Sequence, residues 1–207
     1  MGADGVPLLV KARSAPAVGD LEGQGNLSIL VGSYLGSLYA FDARGRLRWS
    51  HPTRGNLHTA PALADVDADG RREVVFTSYD GNLYVLTPEG VPHELWREAS
   101  LPWLASVVVA GDIDDDAYTE VVLLTRASLI VTGLGGAVMR RLDNFGEPLL
   151  GDVDGDGRTD LLVIQIDGID CLTLPSRVGA PLAWPSDRHD ARRSGFAGPL
   201  PARKDTP

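Results

Sequence analysis

The chemistry of this chain is concentrated in short acidic stretches, of which DVDGDGRTDLLV, from Asp152 to Val163, is representative. Asp152, Asp154, Asp156 and Asp160 recur at every second or fourth residue, two glycines break the run, and an apolar segment follows. Carboxylates this dense repel one another unless positive charge sits among them. Their spacing places oxygen donors on one side of a tight loop, which suits a hard cation such as Ca²⁺ with its six to eight oxygen ligands. Segments 65–73, 112–120 and 152–160 together hold 13 of the 28 Asp and Glu residues. Three divalent cations would bring the formal net charge of −9 to about −3.

The elements that must position these loops repeat along the chain. SAPAVGDLEGQGNLSILVGSYLGSLYAFDARGRLRW from Ser14 aligns with TAPALADVDADGRREVVFTSYDGNLYVLTPEGVPHELW from Thr59. ASVVVAGDIDDDAYTEVVLLTRASLIVTGLGGAVM from Ala105 and EPLLGDVDGDGRTDLLVIQIDGIDCLTL from Glu147 complete the set. The loop-opening residues Asp20, Asp65, Asp112 and Asp152 give periods of 45, 47 and 40 residues. That is the length of one four-stranded blade of a β-propeller. Within each repeat a short apolar run enters the acidic loop and a β-rich run leaves it (REVVFTS, TEVVLLT, TDLLVIQ). A third run and a mixed segment (RLRWS, ELWRE, AVMRR) follow. Runs of Val, Ile, Leu and Tyr bounded by Gly, Asp and Pro are strand signals, and no sustained helical period appears. The expected fold class is all-β, a propeller of about four blades, either a small closed ring or part of a larger one.

With the repeats aligned, GDVDGDGRTDLLV, ADVDADGRREVVF and AGDIDDDAYTEVVL resemble the FG-GAP/VCBS repeats of integrin-like β-propellers. GSLYAFDARGRLRW and GNLYVLTPEGVPHELW also look like PQQ-type propeller repeats. The resemblance implies a Ca²⁺ loop with acids at positions 1, 3, 5 and 9 and a main-chain carbonyl at 7. Carried over, loop four uses Asp152, Asp154, Asp156, Asp160 and the carbonyl of Arg158. Loop two uses Asp65, Asp67, Asp69, Glu73 and the carbonyl of Arg71. Loop three uses Asp112, Asp114, Asp116, Glu120 and the carbonyl of Tyr118. Position 6 is Gly70 and Gly157 in loops two and four but Ala117 in loop three, so two sites and a weaker third are expected. Loop one reads DLEGQGNLS, with Glu22, Gln24 and Ser28 in place of aspartates, and is expected to be empty or marginal. The EF-hand is rejected, because its twelfth position falls here on Phe76, Leu123 and Val163, which cannot chelate.

No catalytic set emerges. His51, His58, His93 and His189 lack metal-ligand spacing with one another, and His58 and His93 read as surface or turn residues. No nucleophile elbow, phosphate loop or dinucleotide fingerprint occurs. Cys171 reads as a small buried hydrophobe, and Trp49 and Trp96 as equivalent packing residues between blades. The acidic balance argues against nucleic acid or an anionic membrane surface as partner. No apolar run reaches the length of a membrane span, and the N-terminus lacks the pattern of a signal peptide.

The expected organisation is an N-terminal segment, 1–13, with a possible closing strand, VPLLVKA at Val6–Ala12. Blades over about 14–58, 59–104, 105–146 and 147–182 follow, then a tail over 183–207. Trp184 is expected to anchor that tail, with Arg188, Asp190 and Arg192 in polar contacts and a disordered end. The resemblance implies a non-catalytic, calcium-binding module for protein or glycan interaction and cell adhesion, extracellular or at the cell surface. It also leaves room for self-association or continuation into a larger propeller. The alternative is the propeller portion of a secreted enzyme, of polysaccharide lyase or quinone-dependent dehydrogenase type.

Overall fold

A computed structural model of the 207-residue chain describes residues 11–12, 14–96, 99–100, 104–116, 118–125, 128–133, 138–142, 146–176, 182–183 and 196–197. All regular structure in these residues is β, arranged as four sheets. The first holds β1 (Ala17–Asp20), β2 (Leu27–Ser33), β3 (Ser37–Asp42) and β4 (Leu47–Pro52) as an antiparallel meander. The second runs through β5 (Ala62–Ala64), β6 (Glu73–Thr77), β7 (Asn82–Leu86) and β8 (Ala99–Ser100). The third is β9 (Leu104–Gly111), β10 (Glu120–Thr125), β11 (Leu129–Thr132) and β12 (Val138–Leu142). The fourth has three strands, β13 (Glu147–Gly151), β14 (Asp160–Ile164) and β15 (Ile169–Thr173). A short strand near the C-terminus, β16 (Phe196–Ala197), joins the first sheet parallel to β1.

The sheets pack face to face in chain order: β1 meets β5, β5 and β6 meet β9, and β9 and β10 meet β13. The middle strands read as near-continuous apolar runs because both faces are covered. In β6, Glu73–Thr77, every residue is buried, and in β10 five of six are. One core cluster joins the first three sheets around Leu30, Leu63, Phe76 and Leu123. A second, around Ile113, Val122, Leu150 and Leu161, cements the third sheet to the fourth. Stacked four-stranded meanders with the first strand innermost are the blades of a propeller.

Trp49 shows how adjacent blades lock. Its indole N–H donates to the carbonyl of Pro88 at 2.9 Å, and its ring lies over Gly90 in the second blade's outer hairpin. A Cβ on Gly90 would fall 2.4 Å from that ring, so the packing requires glycine there. Trp96 does not form an outer strand as its sequence equivalence to Trp49 implies. It follows a turn, is buried in the core, and leaves β8 at Ala99–Ser100 to close the second sheet.

One other expectation changes. Cys171 is exposed, not buried. It lies on β15, which carries no outer neighbour among the described residues, so its side chains face solvent along with Ile166 and Ile169. At the N-terminus, Ala12 forms an isolated bridge to Ser33 of the first blade. Residues 6–10 of the possible closing strand, and Trp184, Arg188, Asp190 and Arg192 of the tail, lie outside the described residues.

Candidate metal centres

The acidic loops connect the first two strands of every blade, and one local design recurs. The position-1 carboxylate accepts the N–H of position 6: Gly70 to Asp65 at 2.9 Å, Gly157 to Asp152 at 3.0 Å, and Gly25 to Asp20. The N–H of position 2 donates to the position-9 carboxylate: Val66 to Glu73 at 3.1 Å, Ile113 to Glu120 at 2.9 Å, and Val153 to Asp160 at 3.0 Å. These bonds curl each loop so that its carboxylates converge. The curl needs left-handed backbone at positions 4 and 6. Glycine supplies both in loops one (Gly23, Gly25) and four (Gly155, Gly157). Ala68 and Asp115 adopt φ values of 61° and 69° at position 4 of loops two and three, which costs about 1 kcal/mol each. Position 6 of loop three, Ala117, lies outside the described residues.

Neighbouring loops are tied edge to edge. Arg72 N–H donates to the Leu21 carbonyl at 2.8 Å, joining loop two to loop one. Thr119 Oγ1 donates to the Asp65 carbonyl at 2.7 Å, joining loop three to loop two.

Loop three gathers Asp112, Asp114, Asp116 and Glu120 with donor atoms all within 4.8 Å of one another. Loop four gathers Asp152, Asp154 and Asp160, whereas Asp156 stands outside the cluster and accepts the N–H of Arg158. Loop two divides: Asp65, Asp67 and Asp69 form one group, and Asp67 and Glu73 form another with His93. Sequence reasoning missed His93. Its side chain is 9% exposed and Nε2 lies 3.1 Å from Asp67 Oδ2, so it is no surface histidine. The signal was present, since His93 follows the second repeat's hairpin turn as Arg48 follows the first. At the three carbonyl positions, Arg71 pairs its side chain with Glu89, Arg158 donates to the Ser176 carbonyl, and Tyr118 is partly exposed.

The electrostatics separate the loops. Burial pushes Glu73 up to about 7, with Asp67, Asp69 and Asp65 adding repulsion against the Val66 N–H bond. Burial likewise raises Glu120 to about 7, with Asp114, Asp116 and Asp112 repelling it. Asp114 is raised by burial and by Asp116 and Asp112. Asp20 in loop one goes the other way. Burial opposes its ionisation, but the N–H groups of Gly25, Gln24, Glu22 and Gly23 together hold it below the ordinary range. Loops two and three therefore hold negative charge that the protein alone leaves uncompensated. Asp112 Oδ2, Asp114 Oδ1 and Asp160 Oδ1 are buried with no hydrogen-bond partner.

A family model described as the lambda-carrageenase β-propeller domain matches residues 28–119. Solved structures similar to this chain include BBS1N in complex with ARL6DN, soaked with mercury, at TM-score 0.61 and 16% identity, covering 84% of this chain and 54% of that one. BamB from Moraxella catarrhalis matches at TM-score 0.52 and 18% identity, over 78% of this chain and 50% of that one. The V. cholerae biofilm matrix protein Bap1 matches at TM-score 0.55 and 20% identity, over 76% and 30%. The fold is a β-propeller. At these identities the likeness is one of fold alone, and the chain spans about half or less of each matched chain. Among curated proteins, none matches.

Proposed function

We propose that the chain is a calcium-binding, non-catalytic propeller module of the FG-GAP/VCBS type, which presents loops to a protein or glycan partner outside the cell or at its surface. The observation that carries this reading is the set of buried carboxylate oxygens at Asp112, Asp114 and Asp160 that no donor reaches. A buried carboxylate oxygen without a partner is expensive, and natural proteins retain such groups where a ligand completes them. The all-oxygen donor sets of loops three and four fit a hard cation, and Glu120 and Asp160 are held in place by the N–H groups of Ile113 and Val153.

A bound divalent cation supplies the positive charge that lets these carboxylates ionise together. The protein's own part is to hold them: the position-6 and position-2 N–H groups aim the first and ninth carboxylates, and the interloop bonds of Arg72 and Thr119 keep adjacent loops in register. The loops thereby form a stiff rim, and a rigid scaffold with exposed loops is how such folds gain partners. Millimolar extracellular calcium suits loops of modest affinity, which supports an extracellular or cell-surface setting. Calorimetric titration with Ca²⁺ tests the metal, and a glycan array with a protein pull-down tests the partner. Absence of binding at millimolar calcium would sink the reading.

The match of residues 28–119 to a carrageenase propeller favours a second reading, in which the module belongs to a polysaccharide-cleaving enzyme and contributes substrate binding. Retention of the chain on carrageenan, with no retention on neutral glycans, supports that alternative.

A further inference from the structure

In the first blade the ladder between β3 and β4 slips between Ala40 and Phe41, opposite Trp49 and Leu47, and leaves Arg48 bulged out of register. The Arg48 guanidinium turns into its own blade's acidic loop. Nη1 donates to Ser28 Oγ and Nη2 pairs with Glu22. Ser28 is fully buried, and the Arg48 side chain is 27% exposed. Glu22 and Ser28 are positions 3 and 9 of loop one, where the other loops present acids that converge.

The second blade repeats this geometry 45 residues later, with Asp67 for Glu22, Glu73 for Ser28 and His93 for Arg48. The outer hairpins agree in register. Phe41 pairs with Leu47 in one, and Leu86 bridges Pro92 in the other. His93 Nε2 faces Asp67 Oδ2 at 3.1 Å, while Nδ1 accepts the N–H of Leu95 at 3.3 Å. The ring is thus held between the Leu95 N–H and Asp67, and it orients that carboxylate. Glu73, 1% exposed, receives the Val66 N–H on one oxygen only.

In the third blade the ladder slips between Val131 and Thr132, opposite Arg140 and Val138, and the bulged residue is Met139. Met139 lines one cavity with Asp114 and has no N–H or O–H to give. The partnerless oxygens of Asp112 and Asp114 belong to this loop.

We infer that in the first three blades the residue just past the outer hairpin's first pairing, Arg48, His93 or Met139, decides whether the loop it faces takes a cation, and that Arg48 is the resident cation of loop one. A guanidinium bridging positions 3 and 9 places a permanent positive charge among the loop's donors and repels a metal ion. Histidine at that place steadies a ligand carboxylate, and methionine leaves the carboxylates to an ion. The claim for loops two and three rests on the cation reading proposed above; the claim for Arg48 does not.

Titration of the full chain with Ca²⁺ alone counts the sites, and melting in EDTA reads the metal-free fold. Arg48→Met is expected to lower Tm in EDTA by about 3 °C or more, since Glu22 loses its counter-charge. His93→Arg and Met139→Arg are each expected to remove one calcium equivalent without lowering Tm in EDTA. His93→Gln, which carries no fixed charge, is expected to keep that equivalent. A wild-type Tm for Arg48→Met in EDTA overturns the inference, as does a wild-type calcium count in both arginine variants. If His93→Arg fails to fold, Met139→Arg at its exposed position decides. If the wild type takes no calcium, the cation reading falls, and Arg48→Met in EDTA still decides whether Arg48 serves loop one.

Discussion

Glu73 and Glu120 sit at the ninth position of their loops, 1% exposed, and burial raises both to about 7. In the metal-free protein, between the ordinary value of 4.5 and about 7, the folded state binds protons that the unfolded chain has released. Stability is therefore greatest at the acid end of that window and is lost as pH rises through about 7. Calorimetry in EDTA should show Tm falling from pH 5 to pH 8, and Glu73→Gln should flatten the fall. A Tm that rises over this range would contradict the assignment. Saturating calcium should remove the fall, because the ionised form then has a partner. Asp160→Asn can keep the Val153 N–H contact through its one remaining oxygen, but it removes the negative charge of a fully buried group and puts an NH2 in place of the second oxygen. Calcium titration should show the loop-four affinity down about tenfold or more. Asp65→Ala and Asp152→Ala should each remove one site. The converging acids were legible because their spacing repeats. The role of Arg48 was not, since a slipped register between β3 and β4 brings it to the loop and no residue pattern announces the slip, and His93 was signalled only by standing 45 residues after Arg48.

At the level of elements, the contact between Trp49 and Gly90 joins two blades through one ring and one glycine. Gly90 has φ +81°, so a side chain there meets backbone strain as well as the indole. Gly90→Ala should destabilise the chain by about 2 kcal/mol or more, read as a lowered denaturation midpoint with unchanged slope. Gly45 takes the same turn in the first blade with nothing within 4 Å, so Gly45→Ala should lose only the backbone part, about 1 kcal/mol. Equal losses would show that the ring contact contributes nothing. The inner three strands of each blade could be read from Val, Ile and Leu runs ended by Gly and Asp, because burial on both faces enforces that composition. Outer strands carry weaker signals, being half solvated. Thus ELWRE read as a strand, although Trp96 turns into the core and the pairing passes to Ala99–Ser100.

For the whole molecule, calcium and fold should be linked. A ligand bound only to the folded state at a hundredfold excess over Kd adds about 2.7 kcal/mol per site. Melting in calcium should therefore lie well above melting in EDTA, and superimposable curves would count against structural calcium. Among the described residues no strand pairs with the outer edge of β15, beside which Ile166 and Ile169 are exposed. Unpaired edges recruit strands, so light scattering should detect self-association that Ile169→Lys suppresses. A monodisperse wild type would mean that this edge is covered. The four blades of this chain were legible from its four repeats. Which strand meets which end was not, because a two-residue parallel pairing such as that of β16 leaves almost no pattern in composition.

That pairing has a bearing on biosynthesis. Val18 finds its partner in Phe196, 178 positions later. At about 5–20 residues per second, a ribosome leaves the inner edge of β1 without that neighbour for roughly ten to forty seconds. Closing so long a loop costs about 4.6 kcal/mol of chain entropy, more than two ladder positions return by themselves. The preceding blades must therefore already be stacked when Phe196 arrives, so that their packing has closed most of that loop. Hydrogen exchange on stalled nascent chains should then show protected amides in β6 and β10 before the β1–β16 pairing appears. The reverse order would mean that the ends meet first and the blades assemble between them.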